Sequence, residues 1–112
     1  MTEEVEKYLS DILMAIEKIE MFSEDTTNYS LYIKDLKTQS AIERQLVIVG
    51  EALNKIQKIN PEISILSARQ IIGFRNRLVH AYDSIDNNIV WAIIKNHIPK
   101  LKIEITSLNN SK

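Results

Sequence analysis

The sequence predicts an all-α helical bundle of four to five helices. Three observations support this: apolar residues recur at three- and four-residue steps along most of the chain, β-type alternation is absent, and glycine and proline number two each. With 112 residues, 45% hydrophobic and 26% charged, the chain has the composition of one folded domain, expected to cover residues 1–112.

Val5, Tyr8, Leu9, Ile12, Ile16 and Ile19 form the stripe of a first amphipathic helix, starting near Glu3 and ending around Phe22. The polar run Ser23-Glu24-Asp25-Thr26-Thr27-Asn28 reads as a loop before a short helical piece from about Tyr29 to Asp35. Ile42, Leu46, Val49, Leu53 and Ile56 then give a narrow seam on a long helix that closes before Pro61. Ser40 with Glu43 fits a capping box at its start, and Asp35 or Thr38 would serve as an earlier cap. Gly50 interrupts this helix. An interior glycine costs roughly 1 kcal/mol relative to alanine, so another backbone is expected to pass close by.

A fourth helix carries Ala68, Ile71, Ile72, Leu78 and Val79, with a second interior glycine at Gly73. Asp86 is the expected N-cap of a last helix bearing Ile89, Val90, Ile93, Ile94, Ile98, Leu101, Ile105 and Leu108. Pro99 should kink it, because proline removes a backbone donor and crowds the carbonyl one turn earlier.

Composition narrows the function. The chain has no cysteine, hence no disulfide framework and no thiolate metal site. The acidic start Met1-Thr2-Glu3-Glu4 is unlike a signal peptide, and no apolar stretch approaches the ~20 residues of a membrane span. A cytoplasmic protein without membrane contact is the expectation. A net charge of -1 argues against a broad nucleic-acid surface. Yet no Asp or Glu occurs from Ile63 to Tyr82, while Arg69, Arg75, Arg77 and His80 all fall there. That is a local electropositive site.

His97, among apolar residues of the last helix, is most simply structural. His80 is the better candidate for chemistry. Asn76 and Ser84 occupy the positions four residues to either side of it and no second His is near, so metal binding is not expected. An arginine, an amide and a histidine suit phosphodiester chemistry without a metal or other cofactor: imidazole moves a proton and guanidinium neutralises phosphate oxygens. RNA carries its own nucleophile, the ribose 2′-hydroxyl. Five helical positions turn the chain through roughly 500°, so Arg75 and His80 point about 140° apart. Either the helix distorts or ends near His80, or two copies of the chain build the site around a two-fold axis. Arg77 is either a solvated charge or a second phosphate contact.

The segment Gly73-Phe74-Arg75-Asn76-Arg77-Leu78-Val79-His80-Ala81-Tyr82 resembles the Arg-x4-His-x-Tyr signature of the HepT-like branch of the HEPN superfamily. Leu46-Val47-Ile48-Val49-Gly50-Glu51-Ala52, Asn60-Pro61-Glu62-Ile63 and Asp86-Asn87-Asn88-Ile89-Val90-Trp91 resemble other parts of that family, as does Lys37-Thr38-Gln39-Ser40-Ala41. Ala81 departs from the glycine many relatives carry. The resemblance implies a homodimeric, metal-independent ribonuclease, the toxin of a type VII (HEPN/MNT) toxin-antitoxin pair. Arg75 and His80 would be the catalytic pair with Asn76 orienting them, and Arg69 and Arg77 would contact RNA. The implied partner is an MntA-like nucleotidyltransferase antitoxin that adenylylates the signature tyrosine, here Tyr82. Glu51 is left open, as a contact of an arginine on the neighbouring helix or as a solvated carboxylate. A different reading is a non-catalytic helical module that binds a nucleotide or a nucleotidyltransferase. A plainer one is a structural helical oligomer with an incidental basic spot.

Overall fold

A computed structural model describes residues 1–81 and 85–110, and these residues form helices without strands. The order is α1 (Glu3–Phe22), α2 (Tyr29–Tyr32), α3 (Leu36–Ile59), α4 (Ala68–His80), α5 (Asn87–Ala92), a π-helical turn (Ile93–His97) and α6 (Ile98–Asn110). The all-α bundle expected from the periodicity is therefore present. α3 lies at its centre, packed against α1 on one side and α4 on another, and α6 packs against α1.

The amphipathic stripes meet in one core. Leu9, Ile12, Ile16, Leu46, Leu53 and Leu101 are among its fully buried members. α2 is only one turn long, shorter than the sequence suggested, and is fixed by contacts beyond itself. The Gln39 side-chain amide donates to the Tyr32 carbonyl at 2.9 Å, and the Tyr32 ring lies 5.4 Å from Trp91 of α5. Burial raises the Tyr32 phenol above its ordinary pKa.

Helix ends follow local chemistry. Thr2, Asn28, Asp35 and Asp86 cap α1, α2, α3 and α5 through side-chain oxygens that accept backbone N–H bonds. Because Asp35 takes the cap of α3, Ser40 and Glu43 lie inside the helix, and the capping box suggested by their spacing does not form. Pro99 leaves a different mark from a simple kink. Ahead of it the helix widens into the π turn, whose Ile98 N–H donates to the Ile93 carbonyl. A wider turn gives the proline ring room beside the preceding carbonyls.

α4 has no side-chain cap of its own at Ser67. The Glu104 carboxylate of α6 supplies one, accepting from the Leu66 N–H at 2.7 Å and the Ser67 N–H at 3.3 Å. An acid at this end also suits the helix dipole. Val79, placed with the apolar residues of α4 by the sequence pattern, is exposed, and Phe74 is buried instead.

Misplaced from a cap, Glu43 is a half-buried carboxylate whose pKa is raised by desolvation. Its charged form is less favourable in the folded chain than in the unfolded one, so stability falls as pH rises through the ordinary glutamate range. Glu43→Gln should therefore raise the melting temperature at pH 7 and give no gain at pH 3, as thermal unfolding at the two pH values would show.

Candidate active site

α4 is helical through His80, and the Ala81 N–H still donates to the Arg77 carbonyl at 2.9 Å. The helix ends there without distortion. Arg75 and His80 thus remain about 140° apart around one axis, as their spacing requires. Within a single chain the structure does not bring them together.

Arg75 points toward α3. A Cβ built on Gly50 would stand 2.4 Å from the Arg75 Cβ and 2.8 Å from its Cγ, with the Ile71 carbonyl oxygen at 3.4 Å. The glycine of α3 is therefore the seat of the arginine stem, and the close approach expected at Gly50 is made by α4. From this seat the guanidinium is fixed on two sides. Nη2 donates to Glu51 Oε1 at 3.1 Å, and Nη1 donates to Asn76 Oδ1 at 2.9 Å. Arg75 is 22% exposed at its side chain, whereas Glu51 is 48% exposed, so the ion pair is partly screened by solvent. Its main effect is to orient a planar group that has five N–H donors, two of them engaged here. The Nε atom is buried and has no hydrogen-bond partner among the described residues.

Glu51, left open by the sequence, is thus the Arg75 partner on the neighbouring helix. Its position directly after Gly50 was the available signal: the residue beside a close helix contact reaches the same neighbour.

His80 is exposed at the C-terminal end of α4. Counting 100° per residue, Arg69, Gly73, Arg77 and His80 fall within about 80° of one another, on the side away from α3. Arg69, Gly73 and Arg77 line one wall of a cleft of ≈ 670 Å³, and Ile89, Ala92 and His97 belong to the facing wall. His97 is half-buried there. Arg69 and Arg77 are exposed, and no carboxylate of the described residues forms a salt bridge with either. Tyr82 lies outside the described residues. Among the described residues no group of three or more His, Cys, Asp or Glu stands close enough to hold a metal ion, and no helix is long and apolar enough to cross a membrane.

The family model described as ribonuclease HepT-like matches residues 12–108, which include Glu51 and the whole of α4. This chain belongs to the ribonuclease HepT-like family. Among its HepT-like relatives is a protein of Thermococcus cleftensis named a probable ribonuclease HepT, 38% identical over 99 residues, which are 85% of this chain and 86% of the relative. Two proteins of Methanocaldococcus jannaschii, both named as candidate RNases, are also similar. One is 34% identical over 86% of this chain and 79% of its own length, the other 31% identical over 91% and 94%. No solved structure matches the chain significantly.

The Gly50 contact gives a direct test of how Arg75 is seated. Gly50→Ala adds a carbon where the arginine stem already stands, and a Cβ cannot rotate away. The substitution should cost about 1–3 kcal/mol despite alanine's better helix propensity, read as a lower urea midpoint at constant slope.

Proposed function

We propose that this HepT-like chain is the toxin of a type VII (HEPN/MNT) toxin-antitoxin pair, a cytoplasmic ribonuclease that needs no metal and works as a homodimer. The observation that carries this reading is Arg75, seated on Gly50 and oriented by Glu51 and Asn76, with guanidinium donors uncommitted. His80 stands on the other side of the same helix, so a complete site takes an arginine and a histidine from two copies meeting at a two-fold axis.

In such a site one His80 takes the proton of a ribose 2′-hydroxyl. The 2′ oxygen attacks the adjacent phosphorus, and the bond from phosphorus to the 5′ oxygen breaks. The leaving oxygen takes that proton from the imidazolium of the same His80, giving a 2′,3′-cyclic phosphate and a 5′-hydroxyl end. Arg75 neutralises the charge that builds on the phosphorane oxygens, and Asn76 keeps the guanidinium turned toward them. Arg69 and Arg77 hold neighbouring phosphates. An MntA-like nucleotidyltransferase antitoxin silences the site by adenylylating Tyr82, because bulky anionic groups beside the arginines both fill the cleft and repel RNA.

Adduct-free protein treated with a chelator should cleave single-stranded RNA, and Arg75→Ala and His80→Ala should each lower the rate by roughly 10²-fold or more. Mixing the two inactive variants should restore about a quarter of wild-type activity, since half of the exchanged dimers would hold one intact site out of two. No recovery after verified subunit exchange would rule out the shared site. Absence of cleavage by wild type, with tight binding of the nucleotidyltransferase, would favour the non-catalytic module instead.

A further inference from the structure

The two glycines of this chain differ in a way the fold does not explain. Gly50 is required by a neighbour, whereas a Cβ on Gly73 would meet no atom of the described residues within 4 Å. Gly73 is exposed inside a regular helix, where glycine is less favourable than alanine. What lies in front of it is the cleft between α4 and the α5–π segment.

That cleft has the features of a ligand site. Its volume, ≈ 670 Å³, falls within the range of small-molecule pockets. Phe74, Ile89, Ala92 and Ile93 give it apolar walls, and Gln70 and Asn88 place amide donors and acceptors on its border. Among the described residues that line it there is no carboxylate, and the charged groups among them are Arg69 and Arg77, two turns apart on either side of Gly73. Roughly 12 Å of helix separates the two arginines. The ligand that fits is apolar and flat in the middle, carries hydrogen-bonding edges, and is negatively charged at both ends.

We propose that this cleft is a nucleobase subsite: one unpaired base of a single-stranded RNA enters opposite Gly73, and the phosphates on its two sides rest on Arg69 and Arg77. The subsite rests on the ribonuclease reading above and adds to it how the substrate is held. His80 shares this face of α4, so a strand anchored in the cleft passes directly to the histidine. Gly73 keeps the entrance open, which is why a residue costly to the helix stands there. Because the walls are mainly aliphatic and the amides border the opening, the subsite selects unpaired over paired RNA more strongly than one base over another.

The test uses a fluorescent 2′-O-methyl oligonucleotide, which binds as RNA does but lacks the attacking hydroxyl, and a second probe of equal length with abasic sites. Gly73→Leu fills the cleft from α4, and Ala92→Leu fills it from the facing wall should the first variant melt early. The expected result is a melting temperature near wild type, base-bearing probe bound about tenfold more weakly, and abasic probe bound as by wild type. Arg69→Ala and Arg77→Ala should weaken both probes and each reduce the slope of log K against log salt by roughly 0.7. Unchanged affinity in both filled variants, or equal binding of the two probes by wild type, would overturn the subsite. So would a change of oligomeric state in size-exclusion chromatography of the filled variants, which would assign the cleft to a second copy of the chain. Cleavage of ordinary RNA by wild type, measured alongside, separates the two levels: retained cleavage with a failed subsite leaves the ribonuclease reading standing, and neither cleavage nor binding removes both.

Discussion

The approach of α4 to α3 at Gly50 is the constraint on which the site depends. With any side chain at that position the stem of Arg75 would have to move, and with it the helix that carries Arg75 and His80. The same approach places Glu51 within reach of the guanidinium. A partly exposed ion pair of this kind contributes little stability. What it supplies is direction, since a guanidinium bonded at both terminal nitrogens has few orientations left.

Once α4 is seated in this way, its other side is set as well. Arg69, Gly73, Arg77 and His80 must face away from α3, toward the rod formed by α5, the π turn and α6. The rod is held at a distance from α4 and leaves a cleft. The opposite end of α4 is tied down by Glu104 from α6, which accepts the N–H groups of Leu66 and Ser67. One thirteen-residue helix therefore has an arginine oriented by α3 on one side, an open basic face on another, and an acidic cap borrowed from a third helix at its start.

Much of the local structure is legible without coordinates because it depends on near neighbours in sequence. The three- and four-residue periodicity yields α1, α3, α4 and the last rod. Asp86 and Asp35 are readable as caps because an N-cap bonds an N–H only two or three positions on. The Ser40–Glu43 pair failed for a competitive reason: Asp35 satisfies the same kind of signal five residues earlier, and a helix has one start. The strain at Pro99 was readable, but its relief as a π turn was not, since that choice depends on how Ile93 and Ile98 pack in the core.

For the site, the sequence alone determined which residues are present and the angle between them: a basic, acid-free segment with Arg75 and His80 on different sides of a helix, in a pattern resembling the HepT-like family. It could not determine which charges are paired, because Glu51 lies 24 positions from Arg75 and Glu104 lies 37 from Ser67. Only tertiary packing decided that the arginine of the signature is oriented by α3, that Arg69 and Arg77 line an open cleft, and that Gly50 is a helix contact while Gly73 faces that cleft. The physical reason is range. Helix formation and capping act within a turn of the chain, whereas ion pairs and clefts between helices depend on how rigid elements settle against a shared core.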